Sequence, residues 1–423
     1  MPPPAPSRAC RGDGNGGAAP DRHGSEAPQA RAVRLTGAGP RRRTGPPATP
    51  GRPAPTTPTI ERALREFTAR FATAQEIEAW DTQVTANPHG GNLLQSASFA
   101  DVKADHGWRP LHLVHEPADG GQASYNLVLE KAVPALGKLW YMIKGPDVAS
   151  VDDIPGIAAA SARLVAEQRL NVFAIKIEPD VLDSDYARGV LARAGLKKSF
   201  NIQPNDSTAV LDTDRDEEAV LKSLHSRGRN AVRRALREGC TVERVELTEQ
   251  NMRRMYALMD TVGQGDANVN LRSYEYYAKF WTAFEQAGQG RLYFTYEDGE
   301  PSVGAYVIAY GTKGTYKDGG SKPRRRQYGD SHLLQWTAIT DLMREHGIVE
   351  YDFCGTPPSD QLKNKEHPYY GLGLFKTSFT KTVVDFVGVH DQVLSPAKYA
   401  VWTNVAEKVQ RQLWVRRTGQ PFY

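Results

Sequence analysis

Two β-strands and the tight turn between them are encoded by Leu292-Tyr-Phe-Thr-Tyr-Glu-Asp-Gly-Glu-Pro-Ser-Val-Gly-Ala-Tyr-Val-Ile-Ala-Tyr310. The aromatic and β-branched residues favour strands, and the Asp-Gly pair between them favours a hairpin turn. The same plan occurs earlier in the chain, where strands at 111–115 and 123–130 flank Pro117-Ala-Asp-Gly-Gly121. We therefore expect two copies of one supersecondary unit.

The likeness between the two copies extends beyond the hairpin. Each continues with a strand that bears a tyrosine, Tyr141 or Tyr316, and then with a helix and a buried strand at 171–177 or 348–353. The offset in numbering between the two copies is nearly constant along all of these elements. This spacing indicates two tandem domains with a cleft between them, which is a common place for a ligand. Strands of both orientations with helices around them predict an α/β class with mixed sheets.

Composition and charge narrow the class of protein. The 423 residues suffice for two domains of about 150–200 residues each. No run of about 18 apolar residues is present, and the N-terminus lacks the apolar stretch of a signal peptide. Three cysteines are too few for a disulfide framework. These features favour a protein of the reducing cytoplasm.

The N-terminal segment 1–58 differs from the rest of the chain. It is rich in Pro, Gly, Ala and Arg, and its nine Arg and three acidic residues give a net charge of +6. The whole chain carries only +4, so the segment 59–423 carries about −2. We expect 1–58 to be a disordered tail or an over-extended gene start. The first domain is predicted at 59–205, with 388–423 packing back on it, and the second at 206–387.

Common cofactor and metal motifs are absent from the sequence. It contains no Walker loop, no Gly-x-Gly-x-x-Gly after a strand, no His-Glu-x-x-His and no Cys-x-x-Cys. We therefore expect neither a metal ion nor a bound nicotinamide cofactor.

Three segments have residue types suited to a phosphate-rich ligand. Arg326-Gln-Tyr-Gly-Asp-Ser331 opens a predicted helix, where backbone N–H groups suit a phosphate, although an ordinary helix cap is the alternative. Arg227–Glu238, within a predicted amphipathic helix at 217–239, holds five Arg and one acid, which suits a polyanion or a solvated face. The aromatic segment His367–Phe379 could stack on bases, or form a loop and a core strand.

Taken in order, these segments resemble the Fem family of aminoacyl-tRNA-dependent peptidyltransferases, which build the interpeptide bridge of peptidoglycan. The landmarks that carry this resemblance are Leu94-Gln-Ser96, Phe99-Ala-Asp-Val-Lys103, Tyr141 with Lys144-Gly-Pro-Asp147, Ile202-Gln-Pro204 with Thr208, Arg227-Gly-Arg-Asn-Ala-Val-Arg-Arg234, Arg272-Ser-Tyr-Glu-Tyr-Tyr277, Tyr316, Tyr351-Asp-Phe353 with Gly355 and Leu374-Phe-Lys-Thr-Ser-Phe379. The resemblance spans approximately 94–389 and implies two tandem GNAT-like domains. The loop at 326–331 is also similar to the pyrophosphate loop of GNAT acyltransferases, with Ser331 departing from that pattern.

The resemblance implies a reaction and a set of site residues. An amino acid (Gly, Ala or Ser) moves from a charged tRNA, acting as co-substrate, to a stem-peptide amine of lipid II or UDP-MurNAc-pentapeptide. Phe375 and Lys376 would act at the tRNA acceptor end and on the transition state. In such a reaction Asp147 could accept a proton from the attacking amine, with a structural role in the Gly-Pro-Asp turn as the alternative. The implied acceptor-binding residues are Lys103, Tyr141, Arg272, Tyr276 and Tyr316. The implied tRNA-binding residues are Arg227, Arg229 and Arg233.

Other functions remain open at the level of sequence. The fold could use charged tRNA to aminoacylate a small secondary metabolite, or use acyl-CoA at the loop 326–331. A non-catalytic RNA-binding protein would need only the arginine-rich helix. A lipid-linked acceptor would place the protein at the inner face of the cell membrane.

Overall fold

The computed structural model describes residues 65–203, 206–263 and 271–423, so the predicted tail at 1–58 lies outside the described residues. The strands of the described part are, in chain order, β1 (Phe67–Phe71), β2 (Arg109–Pro117), β3 (Ser124–Val133), β4 (Gly137–Met142), β5 (Val172–Ile177), β6 (Lys197–Lys198), β7 (Ser207–Asp212), β8 (Glu243–Val245), β9 (Gly290–Glu297), β10 (Glu300–Tyr310), β11 (Lys313–Ser321), β12 (Glu350–Gly355), β13 (Val383–Asp385) and β14 (His390–Val393). The α-helices are α1 (Ala74–Glu78), α2 (Trp80–Thr85), α3 (Ala97–Asp105), α4 (Ile154–Glu167), α5 (Asp185–Arg193), α6 (Glu217–Ser223), α7 (Ser226–Arg237), α8 (Glu249–Gly263), α9 (Tyr274–Gln286), α10 (Asp330–His346), α11 (Tyr370–Lys376), α12 (Pro396–Val401) and α13 (Glu407–Thr418).

The strands form two seven-stranded sheets with the same plan. The first has the order β1-β2-β3-β4-β5-β14-β6, and the second, read from its far edge, has the order β8-β9-β10-β11-β12-β7-β13. In each sheet one pair is parallel, β4 with β5 and β11 with β12, and the pairs around it are antiparallel. The predicted duplication and the α/β class with mixed sheets are confirmed.

The two halves are connected through an insertion. All strands of the second sheet, β7 to β13, follow one another in the chain between β6 and β14 of the first sheet. β14 then returns to the first sheet and lies between β5 and β6. The domain limits predicted from sequence, at 205/206 and 387/388, stay a prediction.

The hairpin of the second half shows why its sequence forms this turn. β9 and β10 pair from Glu297 opposite Glu300, which leaves Asp298 and Gly299 as the two turn residues. Both have positive φ angles, 53° and 79°. Two consecutive left-handed residues make the tight hairpin turn for which Asp-Gly is a preferred pair. The local sequence and the pairing of the sheet therefore agree.

Two predicted elements were wrong in detail. Phe67–Phe71 lies within 59–86, where the sequence predicts a helix or a pair of helices, but it forms β1 because its backbone pairs with β2. The helix predicted at 217–239 breaks into α6 and α7, because Leu224 and His225 have extended ψ angles of 150° and 143°. The ring of His225 caps the new helix by accepting from the backbone N–H of Arg227 at 3.1 Å.

The halves share one apolar core where α3 packs against α9. The rings of Phe99 and Phe280 lie 6.4 Å apart across this contact. Tyr310 of the second half donates a hydrogen bond to Asp81 of the first at 2.8 Å. This contact region surrounds the cavity described below. None of the helices in the described part of the chain is both long enough and apolar enough to cross a bilayer.

Candidate active site between the two halves

A cavity of about 190 Å³, the central cavity, lies where α3, α9, the middle of β11 and the end of β12 meet. It is lined by Asn92, Leu93, Leu94, Phe99, Lys103, Gln203, Arg272, Tyr276, Tyr277, Phe280, Thr315, Lys317, Asp352, Cys354 and Gly355. The predicted residues Lys103, Arg272 and Tyr276 are thus brought together, although the first lies far from the other two in the sequence. The cavity draws its walls from both halves of the chain.

Lys103 reaches the central cavity because of how α3 begins. The side chain of Ser96 caps the helix by accepting from the backbone N–H of Phe99 at 3.1 Å. Lys103 follows Phe99 by one helical turn, so it lies on the same helical face, with its Nζ 5.5 Å from the centre of the Phe99 ring. Only 3% of Lys103 is exposed, and it has no carboxylate partner among the residues that the structure describes. Burial holds its pKa well below the usual range, with Arg272 and Lys131 adding to the effect.

Arg272 joins the central cavity to a second one of about 420 Å³, the C-terminal cavity. This cavity is lined by Lys103, Asp105, His106, Gly107, Trp108, Arg272, Trp414, Arg417, Thr418, Gln420, Pro421 and Tyr423. The guanidinium of Arg272 lies 4.4 Å from the ring centre of Tyr276 and donates to the carbonyl oxygen of Tyr423. An anion in contact with both side chains would favour the charged form of Lys103 and accept charge-assisted hydrogen bonds from Arg272.

The other two predicted tyrosines do not line the central cavity. Tyr141 is buried in the first half, and its hydroxyl donates to Oε2 of Glu178. Gln203, which does line the cavity, hydrogen-bonds to the same hydroxyl. Tyr316 packs into the core of the second half, while its neighbours Thr315 and Lys317 line the cavity. Both tyrosines therefore lie behind the cavity wall.

A group of carboxylates lies beneath the central cavity. Oδ2 of Asp180 accepts from the side chain of Asn92 at 3.1 Å, and Oδ1 of Asp180 lies 3.1 Å from Nζ of Lys144. Glu178 is 1% exposed, and its Oε1 has no hydrogen-bond partner among the described residues. Burial raises the pKa of Glu178 to about 7, against the opposing effect of Lys144. Burial also raises the pKa of Asp352, which accepts from the backbone N–H of Cys354 at 2.6 Å.

Lys376 lies at the end of α11 and reaches the wall of the central cavity through Gly355. Its Nζ donates to the carbonyl oxygen of Gly355 at 2.7 Å, and Gly355 lines the central cavity. Burial lowers the pKa of Lys376, while Cys354 and Asp352 oppose that effect. Burial raises the pKa of the Cys354 thiol to about 12, so this thiol stays protonated and is a poor nucleophile.

Phe375 faces a third cavity of about 410 Å³, the loop cavity. Pro323, Arg325, Arg326, Gln327, Tyr328, Gly329, Asp330, Ser331, His332 and Phe375 line it. Gly329, with φ 83°, turns the chain into α10, and Arg325 pairs with Asp330 at 2.8 Å. His332 stacks on Phe379 and contacts Phe375 edge to face at 5.0 Å. Burial and the nearby Arg227 and Arg325 lower the pKa of His332 to about 4.

The arginine-rich helix α7 packs beside the loop cavity. Arg227 donates to the carbonyl oxygen of Leu374 at 2.6 Å, and Arg229 donates to that of Lys222 at 2.7 Å. These two arginines therefore also hold local backbone. Arg233 is exposed and has no ion-pair partner among the described residues. Arg234 lies 4.5 Å from the ring centre of Tyr328, which joins α7 to the loop cavity.

Asp147 is not brought to any of these three cavities. Its Oδ1 and Oδ2 accept from the backbone N–H groups of His89 at 2.9 Å and Gly91 at 3.0 Å. Its own backbone N–H donates to the side chain of Asn126 at 3.1 Å. These contacts favour a structural role for the Gly-Pro-Asp turn, and they leave the carboxylate engaged away from Lys376.

Several lining residues were missed by sequence reasoning. Asp352 lies within a quoted landmark, and Cys354 follows it with the left-handed φ of 60°, an unusual angle for a side chain with a Cβ. Gln203 also lies within a landmark, Asn92 lies outside regular strands and helices, and Glu178, which lies beneath the cavity, follows β5. Polar residues at the carboxyl ends of β5 and β12 were the available signal, because ligands bind at such ends in α/β sheets.

Comparisons with known proteins agree with the duplicated α/β fold. A family model described as an acetyltransferase (GNAT) domain matches residues 223–364. A lipid II:glycine glycyltransferase of Staphylococcus saprophyticus is 24% identical over 409 residues, which cover 79% of this chain and 95% of the relative. A protein of the same name from Staphylococcus aureus strain MRSA252 is 24% identical over 419 residues, covering 80% and 96%.

A crystal structure of a protein named FemX has a TM-score of 0.66 to this chain at 23% identity, and the match covers 80% of this chain and 99% of that one. This likeness shows the same fold in both halves. The resemblance inferred from the sequence is confirmed: the chain is an enzyme of tandem GNAT-like architecture, an acyltransferase similar to the Fem-type aminoacyltransferases.

Proposed function

We propose that this protein transfers an amino acid, with glycine as the first candidate, from a charged tRNA to the stem-peptide amine of a peptidoglycan precursor. The observation that carries the proposal is the position of α11. Consecutive residues of this helix contact the walls of different cavities: Phe375 lines the loop cavity, and Nζ of Lys376 donates to the carbonyl oxygen of Gly355, which lines the central cavity. A donor and an acceptor entering from the two sides would meet at this helix.

The loop cavity has features that suit the 3′ end of a tRNA. The guanidinium groups of Arg325 and Arg326 line it, where they pair with Asp330 and Asp298. Phe375, Tyr328 and His332 offer rings on which a base can stack. The exposed Arg233 on the neighbouring helix α7 extends the positive surface along a path for the phosphate backbone. Because such contacts release counterions, binding of tRNA should weaken as salt concentration rises.

The acceptor is expected in the central and C-terminal cavities. The buried Lys103 and the partly buried Arg272 line both cavities. A pyrophosphate placed between them would stabilise the charged form of Lys103 and accept hydrogen bonds from the guanidinium of Arg272. UDP-MurNAc-pentapeptide and lipid II both carry a pyrophosphate. The relatives named lipid II:glycine glycyltransferase support this class of acceptor and favour glycine over alanine or serine.

The chemistry needs positioning more than strong acid or base catalysis, because an aminoacyl ester is already activated. The amine nitrogen forms a bond to the ester carbonyl carbon, the bond to the ribose oxygen breaks, and the amine proton ends on that oxygen. Nζ of Lys376 has donors beyond the one used by Gly355, and these can stabilise the negative charge on the carbonyl oxygen. The protonated thiol of Cys354 argues for direct attack by the amine without an acyl-enzyme.

The test is transfer of label from tRNA charged with radioactive glycine, alanine or serine into UDP-MurNAc-pentapeptide or lipid II. We expect transfer that ribonuclease abolishes and that Lys376→Ala suppresses. Lys381→Ala is the matched control, because Lys381 is exposed and lies just beyond the site. Transfer that survives ribonuclease would exclude a tRNA donor. Transfer only to a small amine would indicate aminoacylation of a metabolite.

A second candidate function is acyl-CoA-dependent N-acylation. The loop 326–331 at the start of α10 and the match to a GNAT domain model favour it. Acetyl-CoA should then raise the melting temperature, and Arg326→Ala should remove that effect. No change in melting temperature with acetyl-CoA, measured beside a positive shift with charged tRNA, would decide for the first function.

A further inference from the structure

The last helix of the chain has a second apolar face that nothing in the described residues covers. The helix runs from 396 to 418 through α12, a π-helical turn at Trp402–Ala406 and α13. One face packs on the first half through the buried Trp402 and the half-buried Trp414. A different face carries a row of residues spaced four apart: Val401, Val405, Val409 and Leu413. They are between 45 and 61% exposed.

This exposed row is a local feature and not general surface composition. Five of the thirteen large apolar side chains that are exposed in the described residues lie on this one helix. A spacing of four keeps side chains on one helical face. A helix with apolar residues on both faces and only one of them packed presents a docking surface.

The charges around the apolar row indicate what kind of partner would bind to it. The helix contains five basic residues, Lys398, Lys408, Arg411, Arg416 and Arg417. Its one acid, Glu407, is buried and accepts from Tyr423. Lys408 and Arg416 are exposed and have no ion-pair partner among the described residues. Lys and Arg beside an exposed apolar row are the pattern of a helix that lies in the interface of an anionic bilayer.

The position of the helix in the fold also suits binding to an anionic bilayer. Arg417 and Thr418, at its end, line the C-terminal cavity together with Lys103 and Arg272. A pyrophosphate held by those two cations would therefore lie next to the end of the helix. A lipid chain attached to that pyrophosphate would leave the cavity beside the apolar row.

We propose that the helix 396–418 docks the enzyme on an anionic membrane surface through the row Val401, Val405, Val409 and Leu413, so that a lipid-linked acceptor enters the C-terminal cavity from the bilayer. The entry of a lipid-linked acceptor from the bilayer rests on the proposed function, whereas the docking of the helix on the membrane does not. Docking is therefore measured without any reaction.

The probe is a set of vesicles of phosphatidylcholine alone or mixed with phosphatidylglycerol, with binding followed by flotation of the full chain. We expect binding to the mixed vesicles, and the triple variant Val405→Ser, Val409→Ser, Leu413→Ser to bind about tenfold or more weakly because apolar area is no longer buried. The pair Lys408→Glu, Arg416→Glu should weaken binding similarly and remove its dependence on phosphatidylglycerol. Leu182→Ser, which removes a side chain that is 59% exposed elsewhere, and Lys381→Glu are the matched controls.

A local readout separates this helix from the arginine-rich segment at 1–58, which could also attract anionic lipid. A polarity-sensitive fluorophore on Val409→Cys, in a Cys10→Ser background, should brighten and shift to the blue on the mixed vesicles. The same fluorophore on Leu182→Cys should not change. An unchanged spectrum at position 409, or equal binding by the triple variant, would overturn the proposal.

Self-association is the remaining outcome that would overturn it. If the chain forms dimers in solution and the triple variant is monomeric, a second copy covers the row. If vesicle docking is lost in the triple variant while transfer to UDP-MurNAc-pentapeptide stays normal, the docking surface is confirmed independently of the active site. If docking is present and no transfer to any acceptor occurs, the proposed function fails and the docking surface stands.

Discussion

The carboxyl group of Glu178 should lower the stability of the fold at neutral pH, and Glu178→Gln should reveal this. The side chain is 1% exposed, one oxygen accepts from Tyr141, and the other has no partner among the described residues. Burial raises its pKa from 4.5 to about 7. Glutamine keeps the size of the side chain and removes the titrating group.

The magnitude follows from this pKa. Between pH 4.5 and pH 7 the folded state holds the proton more tightly than the unfolded state, so stability falls as the pH rises through that window. Above the folded pKa the loss is complete and constant. At about 1.4 kcal/mol for each pH unit between the two values, the ionised carboxylate costs ~3 kcal/mol at pH 8 and little at pH 4.5.

The assay is urea unfolding of the wild type and Glu178→Gln at pH 4.5 and pH 8. We expect the stability of the variant relative to the wild type to be ~3 kcal/mol more favourable at pH 8 than at pH 4.5. This comparison cancels the hydrogen bonds that glutamine makes at both pH values. Glu366→Gln, at an exposed position, should show no such difference. A relative stability of Glu178→Gln that is independent of pH, or lower at pH 8, would refute the reasoning.

Three further predictions concern the site and the C-terminal segment. Lys376→Ala should lower the rate of transfer by about 10²–10³-fold while changing tRNA affinity little, because a transition-state hydrogen bond is lost. Single-turnover kinetics measures the rate and filter binding measures the affinity. An equal loss in both would assign Lys376 to binding alone. Cys354→Ser should keep the transfer rate within about tenfold, because a protonated thiol is not the nucleophile; loss of all activity in a folded variant would contradict this. Burial lowers the pKa of Lys131 to about 7, beneath the rings of Trp414 and Phe422. Its ammonium therefore opposes folding most below pH 7, and the stability should rise between pH 7 and 10. Hydrogen exchange of 419–423, corrected for the effect of pH on the intrinsic exchange rate, should become slower over that range. Faster corrected exchange would contradict this prediction.

The parts of the fold that the sequence predicts are those set by local signals. The Asp298-Gly299 turn, the alternating strands around it and their repetition earlier in the chain identify the duplicated α/β plan, and the structure confirms it. Elements set by distant partners were missed. Phe67–Phe71 alternates apolar and polar residues, but five residues are too short a run to decide against a helix, and the segment becomes a strand because β2 offers it a pairing edge.

For the site, too, the sequence predicts some residues, whereas contacts with distant segments decide others. Lys103, Arg272 and Tyr276 were named through a resemblance whose landmarks are short and ordered, and they line one cavity. Asp147 was named from the same landmarks, yet its carboxylate closes a turn through His89 and Gly91. A residue type at a given position does not reveal whether backbone N–H groups already occupy its oxygens. That depends on the conformation of a loop that is distant in the sequence.

The insertion of one half within the other has a consequence for synthesis of the protein. β14 fills the place between β5 and β6, yet it is synthesised only after the whole of the second sheet. At about 5–20 residues per second, the ribosome delivers it roughly 10–40 s after β5. During that interval the later-made half can complete its sheet, while the first-made half waits with the edge of β5 unpaired. An unpaired edge of buried, apolar strand sequence is prone to aggregation. A nascent chain stalled before residue 390 should therefore need a chaperone more than the finished one does.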